Sequence, residues 1–220
     1  DSSPQSLVST ENLLQEFFYL VSLIGAGFFS VLGSLALLEE ESLGTLQTLF
    51  TTPISLKEYL AAKISFPTAT WLLAWGLALL ILAVMKNSIG KMPLADMVLA
   101  SAALFLCVLS VMLFTLLVST LLRDSRPAIL MVLSIIFLYL LLLHPSYIEG
   151  VTPDHPVARV GWLLPFQHAD RVWICVFDKA SYAEIAINPA AELAWLTASS
   201  LGLLLCLNVL LIARYRRRIE

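Results

Sequence analysis

Leu94–Leu122 reads LADMVLASAALFLCVLSVMLFTLLVSTLL, and no acidic, basic or imidazole side chain lies in its middle. A helix needs roughly 20 consecutive apolar residues to cross the hydrocarbon core of a bilayer, so this stretch is expected to span a membrane. Further stretches of the same kind lie on either side of it: Glu16–Leu38, Ile64–Met85, Ala128–Leu143 and Ala190–Ala213. The run over Ala128–Leu143 is short for a span. The expected fold is an all-α, polytopic helical membrane bundle of about five spans, forming one transmembrane domain over residues 1–220.

Composition agrees. Of the 220 residues, 59% are hydrophobic and 13% charged, where soluble domains have about 45–50% and about 25%. Mean hydropathy is +0.88. The net charge of -3 argues against a nucleic-acid partner. Cys107 and Cys206 fall inside apolar runs and read as small hydrophobes, and Cys175 has no partner outside those runs, so a disulfide framework is not expected. The sequence starts at Asp1, without the basic-then-apolar pattern of a signal peptide. An N-terminal piece, up to a whole helix, is expected to precede it.

The boundaries have local causes. Ser55-Leu56-Lys57-Glu58 is a capping-box pattern, so a helix is expected to begin near Ser55. Pro53 stops what precedes it. Asn87, Ser88 and Gly90 make a tight connection, and Pro93 suits a first helical turn. Arg123–Pro127 reads as a second turn, and His144-Pro145 ends the short run. One set of connections holds Lys57, Lys63, Arg123, Arg126 and the tail Arg214, Arg216, Arg217 and Arg218. The positive-inside rule makes that side cytoplasmic, with residue 1 and the segment 145–189 outside. The tail arginines are expected to anchor the last helix to anionic headgroups and to complement its C-terminal dipole.

The segment after the first span is the most informative for function. It reads EEESLGTLQTLFTTP over residues 39–53. Leu43, Leu46, Leu49 and Phe50 recur at helical spacing and make one apolar face. The three glutamates precede it, where a helix N-terminus favours negative charge. A short amphipathic cytoplasmic helix within 39–54, bounded by the acids and Pro53, is expected. Physics leaves two uses open: docking into a partner's groove, or lying on the membrane surface.

The run from Glu41 through Leu43, Gly44, Thr45, Leu46, Gln47, Leu49 and Phe50 to Pro53-Ile54-Ser55, followed by Glu58 and Lys63, resembles the type-two permease family of ABC transporters. That family has an acidic, Gly-Thr-Leu-Glu-rich loop ending in a Thr/Ser-Pro-Val/Ile-Ser step before a helix with an early Lys. Gln47 departs from the pattern, standing where Glu is common. The resemblance implies six spans, the first of them lying before this sequence, and a coupling helix that contacts a separate ATP-binding cassette subunit. It further implies a second permease subunit (a homodimer or a heterodimer), ATP and Mg held by the partner, no cofactor in this chain, and a bacterial inner membrane. Family members often carry short re-entrant helices before the last span. Trp162-Leu163-Leu164-Pro165-Phe166 is similar to the Pro-containing step there, although the residues alone favour an ordinary outer loop.

Other residues are weighed more plainly. Ser22, Ala26, Ser30 and Ser34 form a small-residue ridge near Gly25, Gly27 and Gly33. It serves either as a seam beside a pathway or at a dimer interface or, the favoured reading, as helix packing within one subunit. Thr68, Thr70, Trp71, Trp75, Ser110, Thr115, Ser119, Thr120 and Asn208 either bond their own helices or line a path. His144, Asp154, His155, His168 and Asp170 lack metal-ligand spacing and read as a solvated loop.

No ionisable group sits mid-span to serve ion-coupled transport. The chain has no phosphate-binding loop either, so an ATPase must be a separate polypeptide. The expected function is that of a non-catalytic permease in an ATP-driven exporter. A passive channel or secondary transporter, and a membrane scaffold recruiting a cytosolic protein, are the alternatives.

Overall fold

The computed structural model describes residues 10–42, 56–89, 93–122, 125–139, 161–177 and 187–219. These are helical almost throughout: α1 (Thr10–Ser42), α2 (Leu56–Ile89), α3 (Leu94–Leu122), α4 (Ser125–Leu138), α5 (Pro165–Phe177) and α6 (Pro189–Ile219). Three carry stretches long and apolar enough to cross a bilayer: Leu14–Leu35, Leu94–Leu122 and Pro189–Ala213. The apolar parts described in α2 and α4 are shorter, Ile64–Leu80 and Arg126–Leu138.

The position of α3 follows from its sequence. A helix apolar on every side has no face to offer water and is buried all round. Its buried residues point in all directions, from Met97, Ala100 and Leu104 to Val111, Met112 and Leu116. Each of the other five helices packs on it. α6 touches the bundle along one side only: 22% of its span is buried, against 61% for α3. Leu205 and Val209 on α6, Ile24 on α1, Leu73 on α2 and Leu130 on α4 are each more than half exposed. Such an apolar belt is out of place in water and matches a surround of hydrocarbon.

Local chemistry sets several ends. α2 begins at Leu56, one residue past Ser55, as the capping pattern predicts. It continues through Pro67, where Thr68 and Thr70 donate to the carbonyls of Ile64 and Phe66 at 2.7 and 2.9 Å. Pro93 precedes α3, and its carbonyl accepts from the amides of Asp96 and Met97. Asn188 caps α6, its Oδ1 accepting from Ala190 N at 3.1 Å. α4 begins at Ser125 rather than after the expected turn at Pro127, because Pro is tolerated in a first turn whose amides have no helical acceptor. α1 runs on to Ser42, so Glu39, Glu40 and Glu41 finish α1 instead of opening a separate helix. Glutamate is a good helix former, and no breaker precedes Gly44.

Two apolar clusters hold the bundle. The larger joins Phe18, Phe29, Trp71, Val108, Ile136, Phe166 and Trp173 across α1 to α5, and reaches Leu196 on α6. The smaller joins Tyr59, Leu113, Leu116, Leu207 and Leu211 of α2, α3 and α6. Gly25 permits the close approach of α1: a Cβ there would stand 3.2 Å from Val108 Cγ2 and 3.3 Å from the Trp71 ring.

Candidate functional site

The ridge of α1 packs against α3 of the same chain. Ser22, Ala26, Ser30 and Ser34 are all fully buried. Ser34 Oγ lies 2.7 Å from Ser119 Oγ, and Ser30 Oγ lies 2.9 Å from Thr115 Oγ1. Small side chains let the backbones approach, and hydroxyls then find partners across the gap. Between spans such bonds contribute about 0.6 kcal/mol each on average. α1 and α3 therefore form a bonded pair, and α1 leads directly into the segment 43–53. Leu43, Gly44, Thr45, Leu46, Gln47, Leu49, Phe50 and Pro53 lie outside the described residues, as does the side chain of Glu41. The backbone of Arg214, Arg216, Arg217 and Arg218 continues α6.

Most of the remaining hydroxyls and indoles are committed inside the bundle. Trp75 Nε1 donates to Ser101 O at 2.8 Å, and Trp71 Nε1 to Phe105 O at 3.3 Å. Ser110 and Ser200 share a 2.7 Å bond between α3 and α6. Thr120 and Asn208 return to carbonyls of their own helices.

Charged chemistry gathers at the end of the bundle formed by the N-terminal turns of α1, α3 and α6, around α5. Helix α5 starts at Pro165, directly after the Trp162–Leu164 turn, where Leu164 N donates to Gly161 O at 2.8 Å. Its apolar side, with Phe166, Ala169, Val172, Trp173 and Val176, is buried. Trp173 Nε1 donates to Ala100 O at 3.0 Å, tying α5 to α3.

His168 and Asp170 are 3% and 2% exposed, which corrects the reading of both as solvated loop residues. The cause is α5 itself: its apolar repeat rolls the helix into the bundle and takes these polar neighbours with it. Asp154, His144 and His155 lie outside the described residues.

Every buried charge in this cluster has a partner. His168 Nδ1 bonds Glu192 Oε2, and its Nε2 lies 2.8 Å from the Trp162 carbonyl. That carbonyl only accepts, so Nε2 carries a hydrogen. Arg171 donates to Glu192 Oε1 at 2.9 Å and sits 4.0 Å from the Trp162 ring centroid. Trp195 stacks on His168 at 3.8 Å. Asp170 Oδ1 accepts from Gln15 Nε2 at 3.4 Å. Burial pushes the Asp170 carboxyl up to about 6; the Gln15 bond opposes this, Glu16 adds to it, and Arg171 opposes it. The arrangement clamps α5 to α1 and α6. Among the described residues it gathers no group of three or more His, Cys, Asp or Glu able to hold a metal ion.

A family model described as ABC-2 family transporter protein matches residues 4–165. No curated protein matches the chain. The matched range takes in α1 to α4 and ends where α5 begins.

Proposed function

We propose, from the premise that the chain belongs to the ABC-2 family of transporter proteins, that it is the permease of an ATP-driven exporter. The chain is an integral membrane protein and a membrane transport component. In the proposed assembly it pairs with a second permease subunit and receives its energy from a separate ATP-binding cassette subunit, which holds the ATP and Mg. Residues 43–53 form the docking element at the cytoplasmic face, with Leu43, Leu46, Leu49 and Phe50 as its apolar side. The C-terminus then lies in the cytoplasm, residue 1 lies outside, and the membrane is a bacterial inner membrane. Arg214, Arg216, Arg217 and Arg218 anchor α6 at the inner headgroups.

The observation that carries this reading is the family match over α1 to α4, which includes the 43–53 segment. The fold adds support. A coupling element transmits only if it responds differently to two states of its partner. It must also connect to something stiff. α1 continues as helix to Ser42 and is held to α3 by hydroxyl pairs and by the Gly25 contact. A displacement of residues 43–53 would therefore move α1 and α3 together.

The test is recovery of the complex from its native membrane. The wild-type chain is expected to bring with it a stoichiometric protein with a phosphate-binding loop, and the complex to hydrolyse ATP. Leu46→Asp with Phe50→Asp is expected to abolish that association while insertion stays normal. Undiminished recovery from the double variant would sink the docking assignment.

A further inference from the structure

The strongest unassigned feature is a cleft on α3 between α4 and α6. α4 packs on α1 and α3, and α6 on α3 and α5, but α4 and α6 share no extended interface. The gap between them holds a cavity of about 280 Å³. Val111 and Phe114 form its floor, Ile135 and Leu203 its walls, and Leu163 its rim. Leu163 is 74% exposed, so the cleft opens outward past it. Leu130 and Phe137 on α4 and Leu201 and Leu205 on α6 are likewise exposed on the two flanking helices. In a membrane-spanning chain, lipid hydrocarbon meets such faces wherever no second chain covers them.

The lining restricts the occupant. Among the described residues, no ionisable side chain contributes to it. Its serines are already bonded, Ser110 to Ser200 at 2.7 Å and Ser199 to the Leu196 carbonyl at 2.9 Å. With their hydrogens committed, the serines offer a polar ligand only lone pairs, which replace little of its hydration. The size is equally restrictive. A cavity of about 150 Å³ takes a benzene, whereas a helix with its side chains is about 10–12 Å across. The cleft is too small for a helix of another subunit and large enough for a length of alkyl chain. Beside the rim, Trp162 carries the Arg171 guanidinium on its ring, 4.0 Å from its centroid. An aromatic and a cation together suit the headgroup level of a bilayer.

We propose that this cleft is a binding site for one hydrocarbon chain of a bilayer lipid, which enters past Leu163 with its headgroup left outside near Trp162 and Arg171. The site follows from membrane insertion and the cleft alone, and does not depend on an ATPase partner or on what is transported.

The test uses the full chain in phosphatidylcholine vesicles containing a small fraction of phosphatidylcholine with a photoactivatable diazirine in mid-chain. After illumination, adducts are located by peptide mass spectrometry. They are expected to concentrate on Ile135, Leu163 and Leu203, above the level on the open faces at Leu205 and Val209. Ser199→Trp, which fills the cleft from α6, is expected to remove the concentrated adducts and leave those at Leu205 and Val209. Ile135→Trp fills it from α4 and is expected to abolish labelling at Leu163 and Leu203 in the same way, should the first variant not assemble. Equal labelling of cleft and open faces, or labelling unchanged by either filled variant, would overturn the proposal. So would an unlabelled cleft beside labelled open faces, the pattern expected if a second protein chain covered it.

Discussion

Glu192 is the residue on which the charged cluster depends, since both of its oxygens are used, one by His168 and one by Arg171. Removing one member of a buried ion pair strands the others, at a cost of about 3–5 kcal/mol. Glu192→Ala is therefore expected to lower the stability of the purified protein by about that amount, read as a loss of thermal stability in detergent. Asp170 has a different signature. Its carboxyl rises from an ordinary 3.8 to about 6 in the folded chain, so the folded state holds the proton more tightly than the unfolded one. Stability is then expected to fall as pH rises from about 3.8 to about 6 and to level off above, a loss of about 3 kcal/mol at most. Asp170→Asn keeps a neutral polar group in place and should flatten that slope; an unchanged pH profile would rule out Asp170 as its source. The burial of Asp170 and His168 was not legible from sequence. Polar residues between two spans read by default as loop, and Asp170's partner Gln15 lies 155 residues away in the chain. The usable signal was the spacing of Phe166, Ala169, Trp173 and Val176, which marks one apolar helical face.

Helices were far more legible than their neighbours. The run over Leu94–Leu122 has the bounds of α3, and the capping pattern at Ser55 places the start of α2. Both rest on strong local chemistry: a sustained apolar run, and a side chain able to satisfy free amides. The end of α1 was less legible, because the same glutamates suit either the end of one helix or the start of the next. Pairing between helices was legible only in part. The small-residue ridge marks a face of close approach, but the sequence does not say that α3 is what approaches it. That contact makes two predictions. Gly25→Leu pushes side-chain atoms into the Val108 and Trp71 contacts and is expected to cost about 1–3 kcal/mol, the usual penalty of overpacking. A double-mutant cycle over Ser30→Ala and Thr115→Val is expected to give a coupling of about 0.6 kcal/mol, and no more than about 1.7. A coupling indistinguishable from zero would mean that close packing alone, without the hydroxyl bond, joins the two helices.

Among the described helices one serves as the common neighbour of the other five, and its hydroxyls reach partners on both sides of it in the chain. Thr115 and Ser119 meet Ser30 and Ser34, which lie 85 residues earlier in each case, whereas Ser110 meets Ser200, which lies 90 residues later. A ribosome makes the chain in one direction, so the two kinds of bond become available at different times. When α3 emerges, its partners on α1 already exist, and that pair is free to close at once. Ser110 has to wait for most of the second half of the chain to be synthesised before its partner on α6 arrives. The order of synthesis thus makes the α1–α3 contacts available first and closure by α6 last. In the interval the side of α3 that α6 will cover stands without its partner, and the last helix completes the bundle.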